Sequence, residues 1–241
     1  MRLVRFLDPT SQLPVSGRLE GNMIVSPCGS LPVEKVHLLS PCTPTKIVCV
    51  GRNYAAHAAE LGNEVPERPL LFFKPLSAVI GPNDEIVLPR SDLVHHEAEL
   101  AVVIGTRCRN VSAQKALDVV LGYTCMNDVS DREAQKWDKN WVRAKGFDTS
   151  APLGPIIVTK DEIEGPFHVM SRVNGEVRQD GSTRDFIFSI PALIEEISTY
   201  MTLEPGDVIA TGTPAGVGPL GSGDIVEVEI EGIGVLRNSV R

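Results

Sequence analysis

His95-His96-Glu97-Ala98-Glu99-Leu100-Ala101-Val102-Val103-Ile104 is the stretch around which the rest of the chain is read. Its second half is apolar at every position, the pattern of a strand buried on both faces. Residues two apart in a strand share a face, so Glu97 and Glu99 point the same way where that run begins. Neighbouring carboxylates that lose their hydration repel each other. They must be protonated, paired with basic groups or bound to a cation. A strand that begins in solvent would instead leave both simply exposed, and this segment alone leaves both readings open.

Working outward, a second apolar run, Val119 to Met126, ends at Asn127-Asp128 just as the first begins at Glu99. Two adjacent antiparallel strands would bring Glu97, Glu99 and Asp128 together. Three carboxylates without a cysteine suit a hard divalent ion such as Mg²⁺ or Mn²⁺, bound through oxygen at about 2.0–2.2 Å for Mg²⁺. Asp128 also reads as an N-cap for the helix that follows. A competing set, His95 and Glu97 with a distant histidine such as His168, would make a non-haem iron triad. No other histidine has a distinctive context, so the carboxylate set ranks above it.

The remaining runs are short. Arg2–Leu7, Met23–Val25 and Val36–Leu39 read as strands before a Pro-rich connector at residues 40–45. Lys46–Val50, Leu70–Phe73, Ile86–Leu88 and Ile225–Ile230 read as strands after it. Asn174-Gly175 sits between two strand-like halves, a hairpin signal. Helices are expected at Tyr54–Leu61, Ser112–Leu121, Ser130 to about Asn140, and Ile190–Met201 with Ser189 as cap. Strands and helices do not alternate evenly, so the expected fold class is α+β and β-rich, with a mixed sheet, rather than doubly wound. The expected organisation is a small N-terminal lobe, 1–43, and a main domain, 44–241.

Composition narrows the function classes. A chain of 241 residues with 42% hydrophobic residues buries a substantial core. Its net charge of −8 argues against duplex nucleic acid or an anionic membrane as the main partner. No apolar run approaches the roughly 20 residues of a membrane-spanning helix, and Asp8-Pro9 interrupts the N-terminus before a signal-peptide core forms. The five cysteines (28, 42, 49, 108 and 125) contain no CxxC pair, and two lie in apolar runs. Buried thiols and a cytoplasmic location are expected.

Three further segments could carry chemistry. His57 and Glu60 are three apart, on one face of a short Ala-rich helix followed by the polar stretch 62–68. An imidazole beside a carboxylate can act as a general base on water, and a helix in that setting reads as a lid from about Tyr54 to Arg68. Lys145 lies in a turn-rich loop and could hold a substrate oxyanion. Lys74, inside Phe72-Phe-Lys-Pro75, needs an anionic partner if that strand is buried. Ala210-Thr-Gly-Thr-Pro-Ala-Gly-Val-Gly218 is neither a P-loop nor a dinucleotide fingerprint, and reads as a tight turn where a ligand could approach the backbone.

Taken in order, Gly51-Arg-Asn-Tyr54, His95 to Gly105, Asn127-Asp-Val-Ser-Asp-Arg132, Lys145-Gly-Phe-Asp148 and Thr211 to Gly218 resemble the fumarylacetoacetate hydrolase family. The likeness covers about residues 44–241. It implies a mixed β-roll, usually homodimeric, with a Mg²⁺ or Mn²⁺ site from Glu97, Glu99 and Asp128. It implies a water-activating pair at His57 and Glu60 on a lid, and a carbonyl- or oxyanion-stabilising Lys145. Arg52, Arg132, Gln135 and Thr213 match substrate-site positions. The expected activity is hydrolysis of a C–C bond in an acylpyruvate-type substrate through a metal-held pyruvate enolate. The alternatives on the same site are a hydroxymuconate-type isomerase or decarboxylase and an oxaloacetate decarboxylase. A non-enzymatic metal-binding protein is disfavoured by the His57–Glu60 pair.

Overall fold

Strand Ala98–Ile104 is buried at all seven positions. Leu100, Val102 and Ile104 enter one apolar cluster, while Ala101 and Val103 enter another on the opposite face. The structure is a computed structural model that describes residues 1–60, 62 and 64–241. The strand pairs antiparallel with Val120–Asn127 on one side and with Val208–Ala210 on the other. Val208–Ala210 in turn runs parallel to Ile47–Gly51, which makes the sheet mixed. This large sheet ends at Leu70–Lys74. At its other end Arg2–Leu7 pairs with Ala151–Thr159 and carries Pro14–Glu20, Met23–Ser26 and Gly29–Pro32 outward, so the N-terminal strands continue the same sheet.

A five-stranded sheet faces this one, in the order Glu176–Ser182, His168–Val173, Ile225–Ile230, Gly234–Val240, Glu85–Ile86. The larger apolar cluster fills the space between them and also takes Leu193, Ile194 and Ile197. Those three lie on the longest helix, α4 (Ile190–Tyr200), whose first turn is capped by Ser189. The shorter helices are α1 (Ala55–Glu60), α2 (Arg132–Trp137) and α3 (Val142–Lys145). The hairpin expected at Asn174-Gly175 is formed. All five cysteines are free, with Cys49 and Cys125 buried. Among the described residues no helix is long and apolar enough to cross a membrane.

Two expected helices differ. Ser112–Leu121 is a 3₁₀ helix over Ala113–Val119, and the Ser112 side chain makes no cap bond. Val120 onward is drawn into the sheet, where pairing with Ala98–Ile104 satisfies the backbone. The helix expected from Ser130 starts at Arg132. Ser130 and Asp131 instead pair with Val94–His96, and the Ser130 hydroxyl donates to the Asp128 carbonyl at 2.7 Å. Asp131 is the cap, accepting the Glu133 and Ala134 N–H groups. Asp128 is therefore not an N-cap. The helix expected over Tyr54–Leu61 is present as α1, and Leu61 lies outside the described residues.

Asp207 locks the connector to the parallel strand pair. Its buried carboxylate accepts from the N–H groups of Thr45, Lys46 and Glu204 at 2.9, 3.1 and 2.8 Å, from the Thr45 hydroxyl, and from the Lys46 ammonium. Burial pushes its pKa up, but these donors outweigh burial and hold it below the usual value. A carboxyl depressed in the folded state contributes stability above its unfolded pKa, and that stability is lost as pH falls through the folded value. Asp207→Ala is expected to cost about 3–5 kcal/mol at neutral pH. Urea unfolding should show the gap from wild type closing as pH drops below about 4.

Candidate metal and active site

The strand run breaks where the carboxylates lie. Val94–His96 ends before Glu97 and Ala98–Ile104 begins after it. Side chains take over the backbone donors at the break. The Glu97 N–H goes to Asn127 Oδ1 at 3.0 Å, and the Ala98 N–H to Gln179 Oε1 at 2.9 Å. Pairing of Ala98 with Asn127 places Asp128 beside the two glutamates. Glu97, Glu99 and Asp128 are all buried, each with an oxygen within 4.8 Å of the others.

Three cations surround them. Lys145 Nζ donates to Glu97 Oε2 at 2.8 Å and to Asp128 Oδ2 at 2.7 Å. Arg132 donates to Glu97 Oε1, and its other terminal nitrogen to Gln135 at 2.9 Å. Lys74 has the anionic partner its setting requires: its ammonium lies 2.9 Å from Asp128 Oδ1 and donates to the carbonyls of Val129, Lys145 and Ser150. Burial alone would raise the Glu97 pKa, but Lys145 and Arg132 hold it well below the carboxylate range. Burial opposes the charge on Lys145 too, and Asp128 and Glu97 outweigh it and keep its pKa raised. Burial lowers Lys74, against the pull of Asp128.

Glu99 is the exception. Its Oε2 accepts the Gly212 N–H at 2.8 Å, and none of the three cations reaches it. Burial, then Asp128 and Glu97, push its pKa far above the ordinary value. An all-oxygen donor set with one carboxyl that no counter-charge meets fits a hard divalent cation. The His95 alternative is not assembled. Among the described residues the metal-competent group contains no histidine, and His168 is paired with Asp180 on the outer hairpin. Burial lowers His95 and His96 to about 4, so both are neutral at neutral pH.

A cavity of about 70 Å³ lies over the carboxylates. Arg52, His57, Glu97, Glu99, Asp128, Arg132, Gln135, Lys145 and Thr213 line it together with Phe72 and Trp141, so nine of the ten residues expected from the sequence meet there. The tenth, Glu60, stands behind His57. His57 Nδ1 lies 3.2 Å from Glu60 Oε2, and Glu60 Oε1 accepts the Gly216 N–H at 3.0 Å. Helix α1 is thereby tied to the glycine-rich loop. Tyr54 bridges to Phe186, and their rings stand edge-on with centroids 5.0 Å apart.

Sequence reasoning missed the supports. Asn127 and Gln179 hold the strand break. Asn53, buried, ties the Thr211 carbonyl to Phe188. Trp141 and Phe72 close one wall, edge to face at 5.4 Å. Arg52 and Trp141 both hold positive φ, 58° and 57°, a backbone cost of the kind that gathers at ligand sites. The only advance signal was polar residues beside the motif strands.

Three buried carboxylates within reach of one another, in a cavity also lined by arginine and lysine, form a candidate hard-cation site. The family model described as fumarylacetoacetate (FAA) hydrolase C-terminal matches residues 46–241, and the chain belongs to this family. Its members are divalent-metal-dependent enzymes that include hydrolases, isomerases and tautomerases. An uncharacterised protein of Pyrococcus abyssi is 56% identical over 82% of this chain and 90% of its own length. The oxaloacetate tautomerase YisK of Bacillus subtilis is 44% identical over 88% of this chain and 74% of its own. Among solved structures, the 5-carboxymethyl-2-hydroxymuconate delta-isomerase of Mycobacterium smegmatis superposes with a TM-score of 0.91 at 46% identity, covering 100% of this chain and 98% of that one. The maleylpyruvate hydrolase of Sphingobium sp. SYK-6, in complex with manganese(II) and pyruvate, gives 0.85 at 34% identity, with 100% and 98% covered.

Proposed function

We propose that this chain is a Mg²⁺- or Mn²⁺-dependent enzyme that interconverts the keto and enol forms of a small 2-oxo dicarboxylate of the oxaloacetate type. The observation that carries the reading is the His57–Glu60 pair, set on the wall of a small cavity whose floor is the carboxylate triad. Glu60 accepts from Nδ1 of His57, which leaves Nε2 as the basic nitrogen. A proton leaves C3 of the substrate to that nitrogen, the C2=C3 bond forms, and the imidazolium returns the proton, through a water, to the 2-oxo oxygen, which becomes the enol hydroxyl. Arg52 makes no side-chain hydrogen bond among the described residues and is available to a substrate carboxylate. Lys145 donates toward the oxygen on which charge develops. An ion held by Glu97, Glu99 and Asp128 would supply Lewis-acid polarisation of the 2-oxo carboxylate.

The tautomerase reading stands ahead of the C–C hydrolysis expected from sequence because of the relatives named above. The relatives above that name a tautomerase or isomerase are 44% and 46% identical, against 34% for the hydrolase. Acylpyruvate hydrolysis is the second reading, favoured by the same pair, which can equally activate a water. The test is a panel of oxaloacetate, acetylpyruvate, fumarylpyruvate and a hydroxymuconate, with Mg²⁺, with Mn²⁺ and with EDTA. Metal-dependent enol equilibration of oxaloacetate, faster than any pyruvate release from the acylpyruvates, is expected. Pyruvate release without enol equilibration would replace the first reading by the second.

A further inference from the structure

We infer that Gln179 is a positioning residue that sets the spacing of Glu97 and Glu99 and fastens it to the loop at residues 211–218. The inference deepens the metal-dependent reading and rests on it. Strand Glu176–Ser182 belongs to the outer hairpin and is exposed from Glu176 to Arg178 and again at Asp180, yet Gln179 is fully buried. The hairpin register explains how. Ser171 pairs with Gln179 but Arg172 with Val177, so Arg178 is an extra residue, and the bulge turns the Gln179 side chain inward.

Every polar position of the Gln179 amide is used. Oε1 accepts the N–H of Ala98, the residue between the two glutamates, and lies 3.1 Å from His96 Nδ1. Nε2 donates to the Thr213 hydroxyl at 2.7 Å and to the Pro214 carbonyl at 2.8 Å. Thr213 closes the ring by donating to the Ala98 carbonyl at 2.8 Å. One buried amide thus spans the strand break and the glycine-rich loop, in the only orientation that matches donors to acceptors.

The backbone around it is built for this approach. A Cβ on Gly216 would lie 2.1 Å from the Arg178 carbonyl oxygen, and one on Gly181 would lie 2.5 Å from Pro214. Glycine at both places lets the loop lie directly on the strand that carries Gln179. The same loop supplies the Gly212 N–H to Glu99 and the Gly216 N–H to Glu60, so the amide sits between both halves of the site.

The experiment is a calorimetric titration of Mn²⁺ into metal-stripped wild type, Gln179→Met, Gln179→Asn and Val226→Ala, with kcat and KM for oxaloacetate enol equilibration. Val226 is buried in a separate apolar cluster and reports destabilisation alone. Gln179→Met keeps the volume and removes the hydrogen bonds, and should weaken Mn²⁺ binding about 10–100-fold, as loss of a partner that orients metal ligands does elsewhere. Gln179→Asn retains an amide one methylene short and should fall between, carrying the test if the Met variant does not fold. Val226→Ala should lower Tm while binding Mn²⁺ as wild type does. Wild-type affinity in a folded Gln179 variant, with only Tm lowered, would overturn the inference and leave the metal-dependent reading standing. A wild type that takes up no Mn²⁺ would overturn both.

Discussion

Glu99→Gln should abolish metal-dependent turnover while leaving the metal-free protein at least as stable as wild type. The amide keeps an acceptor for the Gly212 N–H and occupies the same space. It removes the one buried carboxyl of the three that no cation neutralises, whose ionisation burial, Asp128 and Glu97 all oppose. Glu97 and Asp128 keep their Lys145, Arg132 and Lys74 partners, so no buried cation is left unpaired. Relief of strain held for function is commonly worth about 1 kcal/mol, or roughly 2–4 °C in Tm for a chain of this length. Tm measured in EDTA should therefore hold or rise, and the Tm gain expected of wild type on adding Mn²⁺ should be absent from the variant. A variant that loses several degrees in EDTA would mean that Glu99 is paired in a way the geometry does not contain.

The second large effect is expected at His57. His57→Ala should lower kcat by about 10²–10⁴-fold, the range for loss of a general base, with Mn²⁺ affinity unchanged because no metal ligand is touched. Glu60→Ala should lower kcat less, since the imidazole remains, but it also removes the contact with the Gly216 N–H. A fall in kcat with KM nearly constant marks an interaction made in the transition state. Equal losses in kcat and in Mn²⁺ affinity would instead make His57 a support of the carboxylates.

Much of this site was legible because the chemistry sits on the simplest elements. Leu100–Ile104 is apolar on both faces, so a buried strand followed, and the two-residue spacing put Glu97 and Glu99 on one face at its start. Asp128 was legible by symmetry at the end of the paired strand. Lys74 was legible as a lysine whose apolar setting demanded an anion. What stayed hidden depends on contacts distant in sequence. Gln179 lies 81 residues from the Ala98 amide that it satisfies, and its inward turn comes from a bulge that no local pattern encodes. The strand Ala151–Thr159 was obscured by Pro152 and Pro155, which argue against a central strand. Pro155 falls where the pairing with Val120–Asn127 shifts register, between Tyr123 and Cys125. Asp131 displaced Ser130 as cap because the Ser130 hydroxyl had already been claimed by the Asp128 carbonyl. Competition of that kind is decided only once the strands have met.

The claim on which the rest depends is that Glu97, Glu99 and Asp128 together hold one divalent ion. Anomalous diffraction from crystals grown with Mn²⁺ tests it directly. A single peak should lie between the three carboxylates, with one oxygen of each at about 2.0–2.2 Å. A map without that peak, or with manganese bound elsewhere while Lys145 alone bridges Glu97 and Asp128, would contradict it.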